Sequence, residues 1–185
     1  MPRGTAVMYK KNKKEIRLMA SINGIKITSL TTFRGHEGEP LYQGNISYKG
    51  KKLGFWSQDA HGAICDNFDF DESVLNEEVE KYKKSDRVEE KYRKFTDISS
   101  LLADLAEIME REKVYKKGAK KGYKSYVMAS DGYHICGYYT NTPVERIESE
   151  SFHKDFMKTC KDKFFKDWKE EVTIYSDIKD FDIVV

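Results

Sequence analysis

Ile98, Leu101, Leu102, Leu105, Ile108 and Met109 recur at the i, i+3, i+4 and i+7 spacing, and this is the tightest constraint on the fold. Such spacing puts six apolar side chains on one side of an α-helix, so the chain must supply a surface to cover them. Thr96 or Asp97 stands where an N-cap is needed, and Gly118 follows Lys116 and Lys117 as a stop signal. The pattern predicts a helix over 98–117. Burying its six apolar residues is worth on the order of 10 kcal/mol before conformational entropy is subtracted.

The covering surface is found in runs of period two. Ile16–Ile22 and Ile25–Phe33 flank Asn23-Gly24, the dipeptide that best tolerates the positive φ of a type I′ hairpin turn. Leu41–Tyr48 and Lys51–Gln58 flank Lys49-Gly50, so four antiparallel strands are expected in succession. Alternation returns in Tyr123–Met128 and Tyr133–Thr140, joined through Ser130-Asp131-Gly132, and again in Val172–Tyr175 and Phe181–Val185. Asp71 can cap a helix over Glu72–Lys84, and a short helical piece restarts at Ser85 or Asp86 and runs to about Lys94. A last helix covers 151–169, where Phe152, Phe156, Cys160, Phe164 and Trp168 lie four apart. Each four-residue step turns about 40° past a full circle, so these five make one slowly winding apolar stripe.

Strands, helices, strands, helix, strand is the order of an α+β protein. The expectation is a flexible basic leader over 1–14 and a single α+β domain over 15–185. Within it, an antiparallel sheet of hairpins packs with two main amphipathic helices, 98–117 and 152–169. The 185 residues are 39% hydrophobic, enough for a real core, and this excludes a disordered tail. Thirty-three Lys and Arg nearly cancel 31 Asp and Glu, so the net charge of +2 excludes a uniformly basic coat or an acidic nucleic-acid mimic. No apolar run approaches the roughly 18 residues of a membrane span, and no membrane partner is expected. Three scattered cysteines, Cys65, Cys136 and Cys160, fit reduced thiols of a cytosol.

Charge is instead segregated locally. Residues 111–124 hold seven positive charges against one negative. Lys116, Lys117, Lys120, Lys121, Tyr123 and Lys124 form the candidate binding surface, with lysines to neutralise phosphates and a tyrosine to stack a base. Glycines at 118 and 122 are read as leaving this connector adaptable, and its lysines as solvated. The same surface also suits an acidic groove of a protein. Residues 59–80 carry eight negative charges and no Lys or Arg, which makes Glu77, Glu78 and Glu80 a second candidate binding surface. Asp59 and His61, and Asp69 and Asp71, are two apart; on an extended backbone that spacing puts both side chains on one face, as divalent-metal sites need. Asp71 is equally well explained as a cap. His36 and Glu37 lie in the Arg34–Pro40 connector without a catalytic partner. Cys65 and Cys136, each beside Ile, read as small core residues, and Cys160 lies on the apolar stripe of the last helix. No nucleophile elbow, phosphate-binding loop or dinucleotide fingerprint is present, and no cofactor is expected.

Thr32-Phe33-Arg34-Gly35-His36-Glu37-Gly38-Glu39-Pro40, Gln43-Gly44-Asn45-Ile46 and Lys51-Lys52-Leu53-Gly54-Phe55-Trp56-Ser57-Gln58-Asp59 are the stretches that carry a likeness. Over about residues 19–75 the chain resembles small phage and mobile-element proteins of anaerobic Gram-positive bacteria, among which are inhibitors of Cas9. The resemblance brings no site residues. It implies a non-enzymatic protein of the bacterial host cytoplasm that binds a nucleic-acid-directed defence nuclease, with Cas9 and its guide RNA as the expected partner. Two other expectations stand beside it: a metal-dependent nuclease or phosphohydrolase using Asp59, His61, Asp69 and Asp71, and a direct DNA- or RNA-binding protein of a mobile element.

Overall fold

The computed structural model describes residues 20–59, 66–130, 135–163 and 171–185. The expected leader, the start of the first strand at 16–19, His61, Cys65, Phe164 and Trp168 lie outside the described residues. The first sheet grows from Asn23-Gly24. β1 (Ser21–Ile22) and β2 (Ile25–Arg34) pair antiparallel with Ile22 opposite Ile25, so the loop holds two residues. Their φ angles, 50° and 78°, are the positive pair of a type I′ turn, whose twist matches that of the strands it joins. β3 (Pro40–Tyr48) and β4 (Lys51–Ser57) repeat the device through Lys49 and Gly50, at 48° and 81°. The Arg34–Pro40 segment is the connector of the hairpin between β2 and β3, closed by Arg34 donating to the Gly38 carbonyl at 2.7 Å. The four successive antiparallel strands are as expected. β5 (Asn67–Phe68) extends the sheet beyond β4.

The other edge differs from the antiparallel expectation. Asp177 caps a single 3-10 turn over Ile178–Phe181, accepting from the Lys179 amide at 2.9 Å. That turn buries Phe181 against Tyr175, with centroids 4.6 Å apart. The chain leaves it alongside β1, running the same way. The last strand is therefore only Asp182–Ile183 and pairs parallel with β1, which makes the six-stranded sheet mixed.

The later strands do not join that sheet. β6 (Ser125–Ser130) lies between β7 (Ile135–Thr140) and β8 (Glu171–Tyr175) in a separate three-stranded antiparallel sheet. The hairpin expected across Ser130-Asp131-Gly132 forms, since Ser130 faces Ile135, although residues 131–134 lie outside the described residues.

The helices follow their caps. Asp71 caps a 3-10 turn over Glu72–Leu75 that leads into α1 (Asn76–Lys84), so the expected 72–84 helix begins as the tighter form. The next helical piece is a 3-10 run over Glu90–Phe95. α2 spans Ile98–Ala119, and Asp97 accepts from the Ser100 amide at 2.9 Å in a capping box. α3 (Val144–Ile147) is one turn, and α4 is described over Ser151–Lys163. Of the stripe expected along this last helix, Cys160 is buried and Phe156 half-buried, but Phe152 is 61% exposed, so the helix start is not covered as the pattern leads one to expect.

All six residues of the α2 stripe are buried, and Ala106 and Glu112 are buried with them. At 100° per residue these eight positions cover an arc of roughly 160°, wider than one flat neighbour needs. The reason is that α2 contacts β2 of the first sheet and β6 of the second. One core results, joining Ile22, Ile25, Ile27, Ile46 and Trp56 of the first sheet to Tyr126, Met128 and Tyr175 of the second. Leu105 has no exposed surface in it. Leu105→Asp is expected to destabilise the protein by more than about 4 kcal/mol, because an unpaired carboxylate replaces the apolar contact. A urea midpoint equal to wild type would remove Leu105 from the core.

Candidate interaction surface at the end of the long helix

α2 runs straight through Gly118, the stop read from the sequence, to Ala119, and the turn that follows it closes on Gly122. Gly118 is helical for a packing reason. The Tyr139 ring of β7 lies across it, where any side chain would collide. Gly122 takes a φ of 90° with open space around it, and the Tyr123 amide returns to the Gly118 carbonyl at 3.2 Å. This is the left-handed termination that glycine favours. The connector is therefore a capped helix end, with only Gly122 in a glycine-favoured conformation.

The seven positive charges of 111–124 divide into two groups. Arg111 pairs with Glu107 at 3.2 Å, Lys113 with Glu110 at 2.5 Å and Lys116 with Glu112 at 2.6 Å, all along the helix itself. Lys116 does not belong to the solvated surface expected for it. Its side chain is 17% exposed and its partner Glu112 is wholly buried. The other oxygen of Glu112 accepts the Ala20 amide at 2.8 Å, so this carboxylate ties the approach to β1 onto α2. Glu112 and Lys116 were not separated from their neighbours by any signal beyond their i,i+4 spacing.

Lys117, Lys120, Lys121 and Lys124 are exposed and make no ion pair among the described residues. Tyr123 sits among them, 40% exposed, stacked on Tyr139 at 5.5 Å and 20°. Tyr139 is anchored by its hydroxyl, which donates to the Val114 carbonyl at 3.0 Å, and by tilted contact with Tyr126 at 5.3 Å. The sequence reading missed Tyr139, because only the second sheet brings β7 under the helix end. Four exposed lysines thus lie close in sequence to an aromatic platform whose orientation is set from below. Such a surface neutralises a polyanion and stacks a planar group.

The acidic segment serves the fold. Glu78, placed on the second binding surface, is buried: its carboxylate accepts from the Tyr48 hydroxyl at 2.5 Å and meets Lys81 at 3.3 Å and Lys49 at 3.6 Å. Glu77 and Glu80 are exposed but pair with Lys81 at 2.8 Å and Lys83 at 2.6 Å. Asp71 accepts from the Ser73 hydroxyl at 2.6 Å and amide at 3.0 Å, which hold its carboxyl below the usual range. Asp69 accepts from the Phe55 amide, and Asp66 from the Trp56 indole at 2.7 Å. Asp59 is engaged as well. Among the described residues no three His, Cys, Asp or Glu side chains gather around a common metal position. A groove of about 620 Å³ lies between Lys81, Lys84, Arg87 and residues 183–185. Arg87 is already held bidentate by Asp104 and Lys81 by Glu77. No helix among the described residues is long and apolar enough to cross a membrane.

Two measurements follow from these pairings. Lys116→Glu is expected to cost about 3 kcal/mol, since it leaves the buried Glu112 facing a like charge, whereas Lys117→Glu stays within about 0.5 kcal/mol of wild type. Equal melting temperatures for the two variants would refute this division of the basic block. Burial pushes the Glu78 carboxyl up, but the Tyr48 hydroxyl and the Lys81 and Lys49 ammoniums outweigh it and hold it below its ordinary value of 4.5. A depressed carboxyl stabilises the fold above its unfolded value and loses that stabilisation as the pH falls through the folded one. Melting of the wild type is therefore expected to weaken more on acidification below 4.5 than melting of Glu78→Gln, with parallel curves counting against the assignment. No protein-family model, curated protein or solved structure matches this chain.

Proposed function

We propose that this protein is a non-enzymatic binder that antagonises a bacterial nucleic-acid-directed defence nuclease, a Cas9-type effector with its guide RNA. The observation that carries the binding reading is the run of exposed lysines at Lys117, Lys120, Lys121 and Lys124, without acidic partners among the described residues, in the segment that also carries Tyr123 stacked on Tyr139. On this same helix Arg111, Lys113 and Lys116 each have a carboxylate partner. Four lysines that do not, close in sequence to an aromatic ring, leave a local positive field for a phosphate path. The choice of a defence effector as the bearer of those phosphates rests on the resemblance of residues 19–75. A ribonucleoprotein meets the requirement because it exposes phosphates on a fixed scaffold, and charge complementarity then speeds and orients the encounter.

The experiment measures binding of the full chain to a Cas9–guide complex and to the guide RNA alone, at two salt concentrations, with target cleavage as a second readout. Reversal of Lys117, Lys120, Lys121 and Lys124 to Glu is expected to weaken binding to the complex at least about tenfold. It also flattens the salt dependence by about 0.7 to 0.9 in log–log slope per lost phosphate contact. The melting temperature should change little, because these side chains are exposed and make no ion pair among the described residues. Unchanged affinity in the reversed variant would remove this surface from the function. Tight binding to RNA alone, with no effect on cleavage, would replace effector antagonism by direct nucleic-acid binding.

A further inference from the structure

Cys136 and Cys160 are 24 positions apart in sequence and meet in space. Cys136 lies on β7 opposite Ala129 of β6, and Cys160 lies on α4. With Ala129, Phe156 and Met157 they form a small apolar cluster separate from the main core. Both thiols are free, and Cys136 packs against the cluster that holds Cys160. Cys160 is buried, while Cys136 is partly open to solvent.

The attachment of α4 to this sheet is thin. Tyr138 of β7 packs edge-on to Phe152 and Phe156, each at 4.9 Å, and its hydroxyl meets the Nδ1 of His153 at 3.0 Å. A further contact is the cysteine cluster. A bond between the two sulfurs would convert that contact into a covalent link between helix and sheet.

We propose that Cys136 and Cys160 form a reversible dithiol site, oxidised to a disulfide by small-molecule disulfides of the glutathione type. The order of events follows from exposure. The Cys136 thiolate attacks one sulfur of the oxidant, forms a mixed disulfide and expels one small thiolate, which takes up a proton. Cys160 then gives up its proton and its sulfur attacks the Cys136 sulfur, expelling the second small thiol. Two protein thiols are oxidised to one disulfide, and one small disulfide is reduced to two thiols. Burial pushes the Cys160 thiol up to about 12, helped by the Cys136 neighbour, so Cys160 stays protonated until its partner is activated. A reducing cytosol keeps the pair open, and oxidation closes it, which is the behaviour of a sensing thiol pair. The site stands independently of the partner proposed above.

The test treats the native full-length chain, and a Cys65→Ser version of it, with glutathione disulfide. Intact mass is expected to fall by two hydrogens in both, with a peptide map joining Cys136 to Cys160. The melting temperature rises by about 5 °C, because the bond closes a loop in the unfolded chain, and dithiothreitol reverses the change. Cys160→Ala halts at a glutathione adduct on Cys136, and Cys136→Ser leaves Cys160 unmodified. The proposal is overturned if the Cys65→Ser protein keeps both thiols, stops at an adduct, or melts lower once cross-linked.

Discussion

The packing of α2 between two sheets is the constraint on which the rest of the molecule depends. A helix covered on one side needs a narrow apolar stripe, but here the buried arc is roughly 160° wide and meets both β2 and β6. The helix contributes to a single core that joins residues of both sheets. Secondary features follow from it. The 3-10 turn over Ile178–Phe181 delivers Phe181 into the same core, within 5.5 Å of Tyr115 on α2, and so brings the end of the chain beside β1. Arg87 clamps onto Asp104 of α2 with two 2.8 Å bonds, fixing the segment between α1 and the second 3-10 run.

The same helix carries the candidate surface out of the core. Glu112, wholly buried, marks the transition: its carboxylate takes the Ala20 amide on one oxygen and Lys116 on the other. From Lys117 to Lys124 the lysines are exposed and have no carboxylate partner among the described residues. The surface is thus rigid at its root and free at its tips. Tyr139 reinforces the root by filling the space that Gly118 leaves empty and by supporting Tyr123 from below. An aromatic face held in this way loses less conformational freedom on stacking than a loose one, which favours recognition.

The acidic segment illustrates how differently the same charges can be used. Its excess of carboxylates has the appearance of a surface in the linear sequence, yet the described ones satisfy an indole, two amides, two hydroxyls and several lysines. Glu78 is the clearest case. Buried charge is tolerable only with partners on its oxygens, and Tyr48, Lys49 and Lys81 supply them from β3, the adjoining turn and α1 itself.

The sequence by itself determined much of what depends on near neighbours. The α2 stripe and its Asp97 cap, the paired positive φ of Asn23-Gly24 and the succession of hairpins all arise from spacings of a few residues. Tertiary structure alone decided what depends on residues far apart. It divided the strands into two sheets and set the last strand parallel to β1. It put a ring over Gly118 in place of a helix stop, and it buried Lys116 and Glu78 while leaving Lys117 and Lys120 in water. The physical reason is the same throughout. Helical and strand periods say which side of an element is apolar, but burial and ion pairing depend on which distant element arrives to cover that side.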